Sequence, residues 1–122
     1  MNLILKATHR IPIYEMDVFL YVAHDAVKTF NCVADAWGLE KEPAFDALAT
    51  SDGQGAFGLF FHKELLTERN ISHEVKHCAD SIMDYVGQKH CHSCPNEARA
   101  FMTGYLQKWV KGRLKRAGLR VK

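Results

Sequence analysis

The segment His73-Glu74-Val75-Lys76-His77 places two imidazoles and a carboxylate within five residues. Positions i and i+4 share one face of an α-helix, so His73 and His77 can place two ring nitrogens on one metal ion. Glu74 directly follows the first histidine, which brings its carboxylate beside the open coordination position. Zinc lowers the pKa of a bound water towards about 7, and a neighbouring carboxylate can accept the proton. The pattern therefore predicts a Zn²⁺ site with Glu74 as general base. The alternative is an ordinary helix with two surface histidines.

The flanking residues favour a helix around this segment. Thr67 is suited to cap its N-terminus, and Gly87 is predicted to end it. Apolar residues recur between these two positions at helical spacing: Ile71, Val75, Cys78, Ala79, Ile82, Met83 and Val86. The two histidines flank this apolar stripe, so we expect them to face a half-buried cleft.

The chain as a whole has the size and composition of one soluble domain covering residues 1–122. It is 48% hydrophobic and 25% charged, and no apolar run is long enough to cross a bilayer. The first ten residues lack the pattern of a secretory signal. We therefore expect a cytoplasmic protein with no membrane partner, whose four cysteines are reduced.

The order of predicted elements is strand, helix, hairpin, helix, helix, which is typical of an α+β fold, and residues 1–8 are a candidate for a further short edge strand. We expect a small three- or four-stranded sheet packed on three helices. The predicted strands cover residues 1–8, 17–23, 44–50 and 56–62, and the predicted helices cover 25–37, 67–87 and 95–117. The strand at 56–62 could offer a sheet edge to an extended peptide, or it could be an ordinary edge.

A catalytic zinc ion needs a third protein ligand, and Glu97 is the best candidate. It lies on the flank of the last helix's apolar stripe, which is expected to face the histidine-bearing helix. Asn96 and Asp80 are candidates to hydrogen-bond a ligand imidazole, and ordinary surface positions are the alternative. No motif identifies a separate donor to the substrate oxygen; the candidates are Tyr14, His24, His62 and Tyr105.

The loop His90-Cys91-His92-Ser93-Cys94 is dense in soft ligands. Cys91 and Cys94 form a Cys-x-x-Cys pair that could hold a second metal ion, form a redox pair or be inert. One of these cysteines could also replace Glu97 at the first metal ion. Cys32 and Cys78 are isolated on predicted helices, which favours small core residues.

The motifs together resemble those of the gluzincins, the thermolysin-like metallopeptidases. His73-Glu74-x-x-His77, eighteen intervening residues and then Asn96-Glu97-Ala98 are similar to the pattern of that family. The chain looks most like the minimal gluzincin-like proteins of bacteriophages and prophages, because Glu97-Ala98-Arg99-Ala100 and Gly104-Tyr105-Leu106 match their second helix. The resemblance covers about residues 44–110. It implies a zincin-like catalytic core, zinc as cofactor, Glu97 as third ligand and a peptide or protein substrate.

Charge is distributed unevenly along the chain. Seven of its sixteen Lys and Arg residues lie in 108–122, a stretch without acids, so the remaining nine face fourteen acids and leave a net of −5. A basic C-terminal tail at 111–122 could contact nucleic acid, or it could be the solvated end of a helix. The leading hypothesis is zinc-dependent peptide hydrolysis. The alternative is a zinc-stabilised, non-catalytic module that binds protein or nucleic acid through this helix.

Overall fold

The computed structural model describes residues 2–11, 14–90 and 96–122, without the side chains of 88–90 and 96. Four strands, three α-helices and a short 3-10 turn at Lys63–Leu65 follow one another along this part of the chain. In order they are β1 (Leu3–Ile11), β2 (Met16–Ala23), α1 (Ala26–Trp37), β3 (Ala47–Ser51), β4 (Ala56–His62), α2 (Glu68–His90) and α3 (Asn96–Arg116). The predicted α+β architecture is confirmed. No helix in the described ranges has the length and apolar character that crossing a membrane requires.

The sheet has the strand order β1-β2-β4-β3. β1 and β3 run antiparallel to their neighbours, whereas the two central strands are parallel, with Val18 opposite Phe57. The chain must therefore cross over between β2 and β4, and α1 and β3 lie in that crossover. β3 and β4 form the predicted hairpin, with Ala49 opposite Leu59.

The prediction that residues 56–62 form a sheet edge is wrong. β4 pairs with β2 on one side and β3 on the other, so β3 is the edge strand beside it. The reason lies in the burial of β4: Phe57, Leu59 and Phe61 contact one core, and Phe60 contacts the other. A strand buried on both faces is a continuous apolar run, as this one is.

Two hydrophobic cores lie on opposite faces of the sheet. The larger is formed between the sheet, α2 and α3, and its α2 members are the residues of the predicted apolar stripe. The smaller lies under α1 and includes Tyr21, Phe30 and Phe60. α2 packs over β3 and β4, and α3 packs beside α2. This arrangement lays the histidine-bearing helix next to the β3 edge of the sheet.

Local capping explains most helix boundaries. Asp25 caps α1, and Gly38 ends it in the left-handed conformation at φ 70°. The Thr67 hydroxyl accepts a hydrogen bond from the Asn70 N–H at 3.1 Å, as the capping prediction requires. Gly87, however, does not end α2, which continues to residue 90. Glycine within a helix costs only about 1 kcal/mol, which packing of the preceding turns can offset.

The C-terminal residues belong to the folded core rather than to a dispensable tail. Leu114 is fully buried, and Leu119 and Val121 pack against the larger core. Beyond α3 the chain turns back, and the Lys122 N–H donates to the Leu66 carbonyl at 2.7 Å. Residues 112–122 therefore contribute to the packing of the larger core, because the apolar contacts continue past the end of the helix.

Candidate metal centre

The two histidines converge on one point outside α2. Their Nε2 atoms are 3.1 Å apart, and the rings are nearly perpendicular at 84°. Two nitrogens that bind one tetrahedral zinc ion at 2.0–2.1 Å are separated by about 3.3 Å. The pair therefore has the donor chemistry and the spacing of two zinc ligands. The His73 side chain is 64% exposed, so an ion can reach it from solvent.

Glu74 lies on the sheet side of this pair. One of its carboxylate oxygens is 3.8 Å from the His73 Nε2, and its side chain is only 12% exposed. The main chain of Ala49 on the edge strand β3 lies near enough to this carboxylate to favour its ionised form. Burial raises the pKa of Glu74, while the two imidazoles and the Ala49 main chain act in the opposite direction. A half-buried carboxylate is thus held next to the predicted metal position.

A polar pocket of about 310 Å³ adjoins these groups between α2 and the start of β3. It is lined by Asp46, Ala47, Arg69, Asn70, His73 and Glu74. Arg69 was not identified from the sequence, although it lies four residues before His73 and therefore on the same helix face. Among the described residues Arg69 forms no ion pair. Asn70 is instead tied to the Leu65 carbonyl at 2.9 Å.

Glu97 is exposed at the beginning of α3. Arg99 pairs with Asp84 at 2.6 Å, and Lys111 pairs with Glu68 at 2.6 Å, so α2 and α3 run antiparallel. This register places Glu97 beside the C-terminal half of α2, beyond the histidine pair, and the structure does not bring the three residues together. Within the described ranges, no cluster of three or more His, Cys, Asp or Glu could hold a metal ion. Glu97 as third ligand stays a prediction.

The structure brings Asp80 to cations rather than to an imidazole. Its carboxylate is 3.3 Å from the Lys76 Nζ and 3.5 Å from an Arg99 guanidinium nitrogen. Arg99 bridges from α3 to both Asp80 and Asp84 of α2. The predicted hydrogen bond from a ligand histidine is not among these contacts, and the side chain instead helps to join the two helices.

The predictions for Cys91, Cys94 and the Asn96 side chain fall outside the described residues. Cys78 is buried in the larger core, as predicted, and burial raises the pKa of its thiol to about 12. Cys32 is exposed, so its interpretation as a core residue is wrong. It lies on α1 between the buried residues Phe30 and Ala34, and its own side chain points to the exposed side of the helix.

None of the four candidate donors to a substrate oxygen lines the pocket beside Glu74. His62 bonds through both ring nitrogens, accepting from the Ala26 N–H and donating to the Phe45 carbonyl. The Tyr105 hydroxyl bonds with His9 of β1, on the side of α3 away from α2. Neither lines the pocket beside Glu74, nor do Tyr14 and His24. Arg69 is the cationic side chain that does.

Comparison with protein-family models, with curated proteins and with solved structures gives no match for this chain. The functional argument therefore depends on the geometry of the site and on the motifs of the sequence.

Proposed function

We propose that this protein hydrolyses peptide bonds with the help of a zinc ion held by His73 and His77. The observation that supports the proposal is the convergence of two Nε2 atoms, 3.1 Å apart, beside a half-buried carboxylate. A hydrogen bond between the two rings is enough to explain the distance between the Nε2 atoms. It does not explain why a glutamate lies beside them. A cytoplasmic location is part of the proposal.

When bound, zinc acidifies a water molecule to a pKa of about 7 and polarises a carbonyl. Glu74 then acts as general base, accepts a proton from the attacking water and delivers it to the leaving amine. The main chain of Ala49 favours the ionised form of this carboxylate, which is the form that accepts a proton. Arg69 lines the same pocket and is placed to donate to the substrate oxygen as negative charge develops on it.

The edge strand β3 supports a peptide as the substrate. β3 is paired with β4 on one side only, so the main-chain groups along its other side are not paired with a strand of the described residues. An extended peptide can add to such an edge as a further strand. The five residues Ala47–Ser51 span about 17 Å, enough to align about five residues of substrate past Glu74.

The test is hydrolysis of unstructured casein by the purified full-length protein, with and without a zinc chelator. Activity should disappear with the chelator and return with added zinc. Glu74→Gln is the informative variant, because glutamine has nearly the same shape as glutamate but cannot take a proton from water. It should keep zinc and lose about 10²-fold to 10⁴-fold in rate.

A zinc-stabilised binding module is the alternative proposal. Glu74 lies against the edge strand with a side chain only 12% exposed, so the presence of this carboxylate does not by itself require catalysis. Wild-type protein that binds one zinc ion but cleaves no peptide in a diverse library would favour this alternative.

A further inference from the structure

Two aromatic rings are exposed on the outer face of α3. Phe101 is 74% exposed and Tyr105 is 42% exposed, although they are one helical turn apart on a helix whose other side is core. Their rings stack, with centroids 6.5 Å apart and planes 14° from parallel. One turn further on, Trp109 contacts His9 of β1 with ring centroids 5.4 Å apart. A row of large exposed rings on one helix is a common feature of binding surfaces.

The same helix is strongly basic. From Ala98 to the last printed residue the sequence has eight Lys and Arg and no acid. Three of these cations, Arg99, Lys111 and Lys122, pair with acids at Asp84, Glu68 and Glu64. Exposed cations without an ion pair in the described part of the chain are Lys108, Lys115, Arg116 and Arg120.

The exposed rings and three of these cations share one face. Helical spacing aligns residues 101, 105, 108, 112, 115 and 116 on the side of α3 that points away from α2. The residues that meet α2 lie on the other side; for example, Gln107 bonds to Ser72 at 3.0 Å. We call Phe101, Tyr105, Lys108, Lys115 and Arg116 the α3 outer face. It is about 22 Å long, at 1.5 Å per helical residue.

An apolar groove opens at the aromatic end of this face. Its volume is about 410 Å³, and Phe101 and Tyr105 form one wall. Ile11, Tyr14, Met83 and Met102 line the remainder. A flat ring can therefore enter beside the exposed side chains without displacing the core.

We propose that the α3 outer face binds single-stranded nucleic acid, with bases stacked on Phe101 and Tyr105 and phosphates held by Lys108, Lys115 and Arg116. Exposed aromatic rings beside a line of cations are the recurrent design of such sites. A duplex covers the faces of its bases, so it would leave both rings unused. An acidic peptide would satisfy the cations but offers no planar groups for the groove. At the 3.4 Å spacing of a stacked strand, the face accommodates about six nucleotides.

This surface does not depend on the metal centre. His73 and Glu74 lie on α2 next to β3, whereas the α3 outer face lies beyond the α2–α3 contact, on the side where Tyr105 meets β1. Binding of nucleic acid by this face and zinc-dependent hydrolysis are therefore independent properties that separate experiments test.

The test is fluorescence anisotropy of labelled 12-mer dT with the full-length protein across a range of salt concentrations. Phe101→Ala with Tyr105→Ala should weaken binding by at least about ten-fold, whereas Tyr105→Phe, which keeps the ring, should bind like the wild type. Lys115→Ala with Arg116→Ala should make the slope of log affinity against log salt shallower by about 1.4. The matched control removes two exposed cations on or next to α1, which packs on the opposite face of the sheet, Lys28→Ala with Lys41→Ala, and should leave affinity nearly unchanged.

Circular dichroism checks that each variant is folded. Three results would overturn the proposal. The first is that the wild type fails to bind the 12-mer at low salt. The second is that the control variant loses as much affinity as Lys115→Ala with Arg116→Ala. The third is that a 12-base-pair duplex or poly-glutamate binds as tightly as the single strand. If loss of both rings has no effect while loss of the cations does, the surface is a general polyanion site and base stacking is refuted.

Discussion

Replacing Leu114 by Ala tests whether the basic C-terminal stretch is part of the core. Leu114 is fully buried at the last turn of α3, against the sheet and α2. The sequence around it is dominated by cations, and a dispensable tail would tolerate the change. The structure instead predicts a substantial loss of the free energy of unfolding.

The magnitude follows from the buried side chain. Truncation to Ala removes three carbon atoms, worth about 0.8 kcal/mol each on transfer from water, and leaves a cavity that adds to the loss. We expect the free energy of unfolding to fall by about 3 kcal/mol. For 122 residues the unfolding entropy is about 0.26 kcal/mol/K, so the melting temperature should fall by about 12 °C.

Urea and thermal unfolding followed by circular dichroism measure this loss. Lys115→Ala is the matched control, because it changes the neighbouring, exposed residue of the same helical turn and should stay within about 0.5 kcal/mol of the wild type. If the two variants are equally stable, the packing described for the C-terminal segment is refuted.

Two further predictions concern a positive charge beside the metal centre and a buried thiol. Arg69→Met should lower kcat by about 10²-fold with zinc content unchanged, whereas Arg10→Met on the distant β1 edge should not; equal activity of both variants would exclude Arg69 as the donor. Because burial raises the pKa of Cys78 to about 12, its thiol stays protonated at pH 8, with about one part in 10⁴ as thiolate. Mass spectrometry after brief iodoacetamide treatment should find Cys32 alkylated and Cys78 intact, and rapid alkylation of Cys78 in folded protein would contradict its burial.

Features determined by neighbouring residues could be predicted from the sequence. Thr67 caps α2 through a contact within a few residues, as predicted, and Asp25 and Gly38 bound α1 in the same local way. The parallel pairing of β2 with β4 could not be predicted in this way, because it joins segments separated by α1 and β3. The anchoring of Lys122 to Leu66 was missed for a related reason: main-chain hydrogen bonds leave no side-chain pattern.

In the candidate site too, local features could be predicted from the sequence and contacts between distant segments could not. The convergence of His73 and His77 depends only on the helical repeat, so five residues of sequence were enough. The contact of Glu74 with Ala49 depends on where α2 crosses the edge strand, which no local pattern reveals. Arg69 lies one turn before the first histidine, so the same helical repeat predicts that it shares this helix face, although it is not part of the motif.

Zinc content after dialysis, together with zinc affinity from chelator competition, tests the central claim most directly. The wild type should retain about one zinc ion per chain, His73→Ala and His77→Ala should each lose it, and His24→Ala, an exposed histidine elsewhere, should not. Glu97→Ala should lose it as well if Glu97 is the third ligand. If that variant keeps tight zinc while serine at both loop cysteines abolishes binding, a cysteine is the ligand instead. Undiminished zinc affinity in the variant lacking both His73 and His77 would contradict the account.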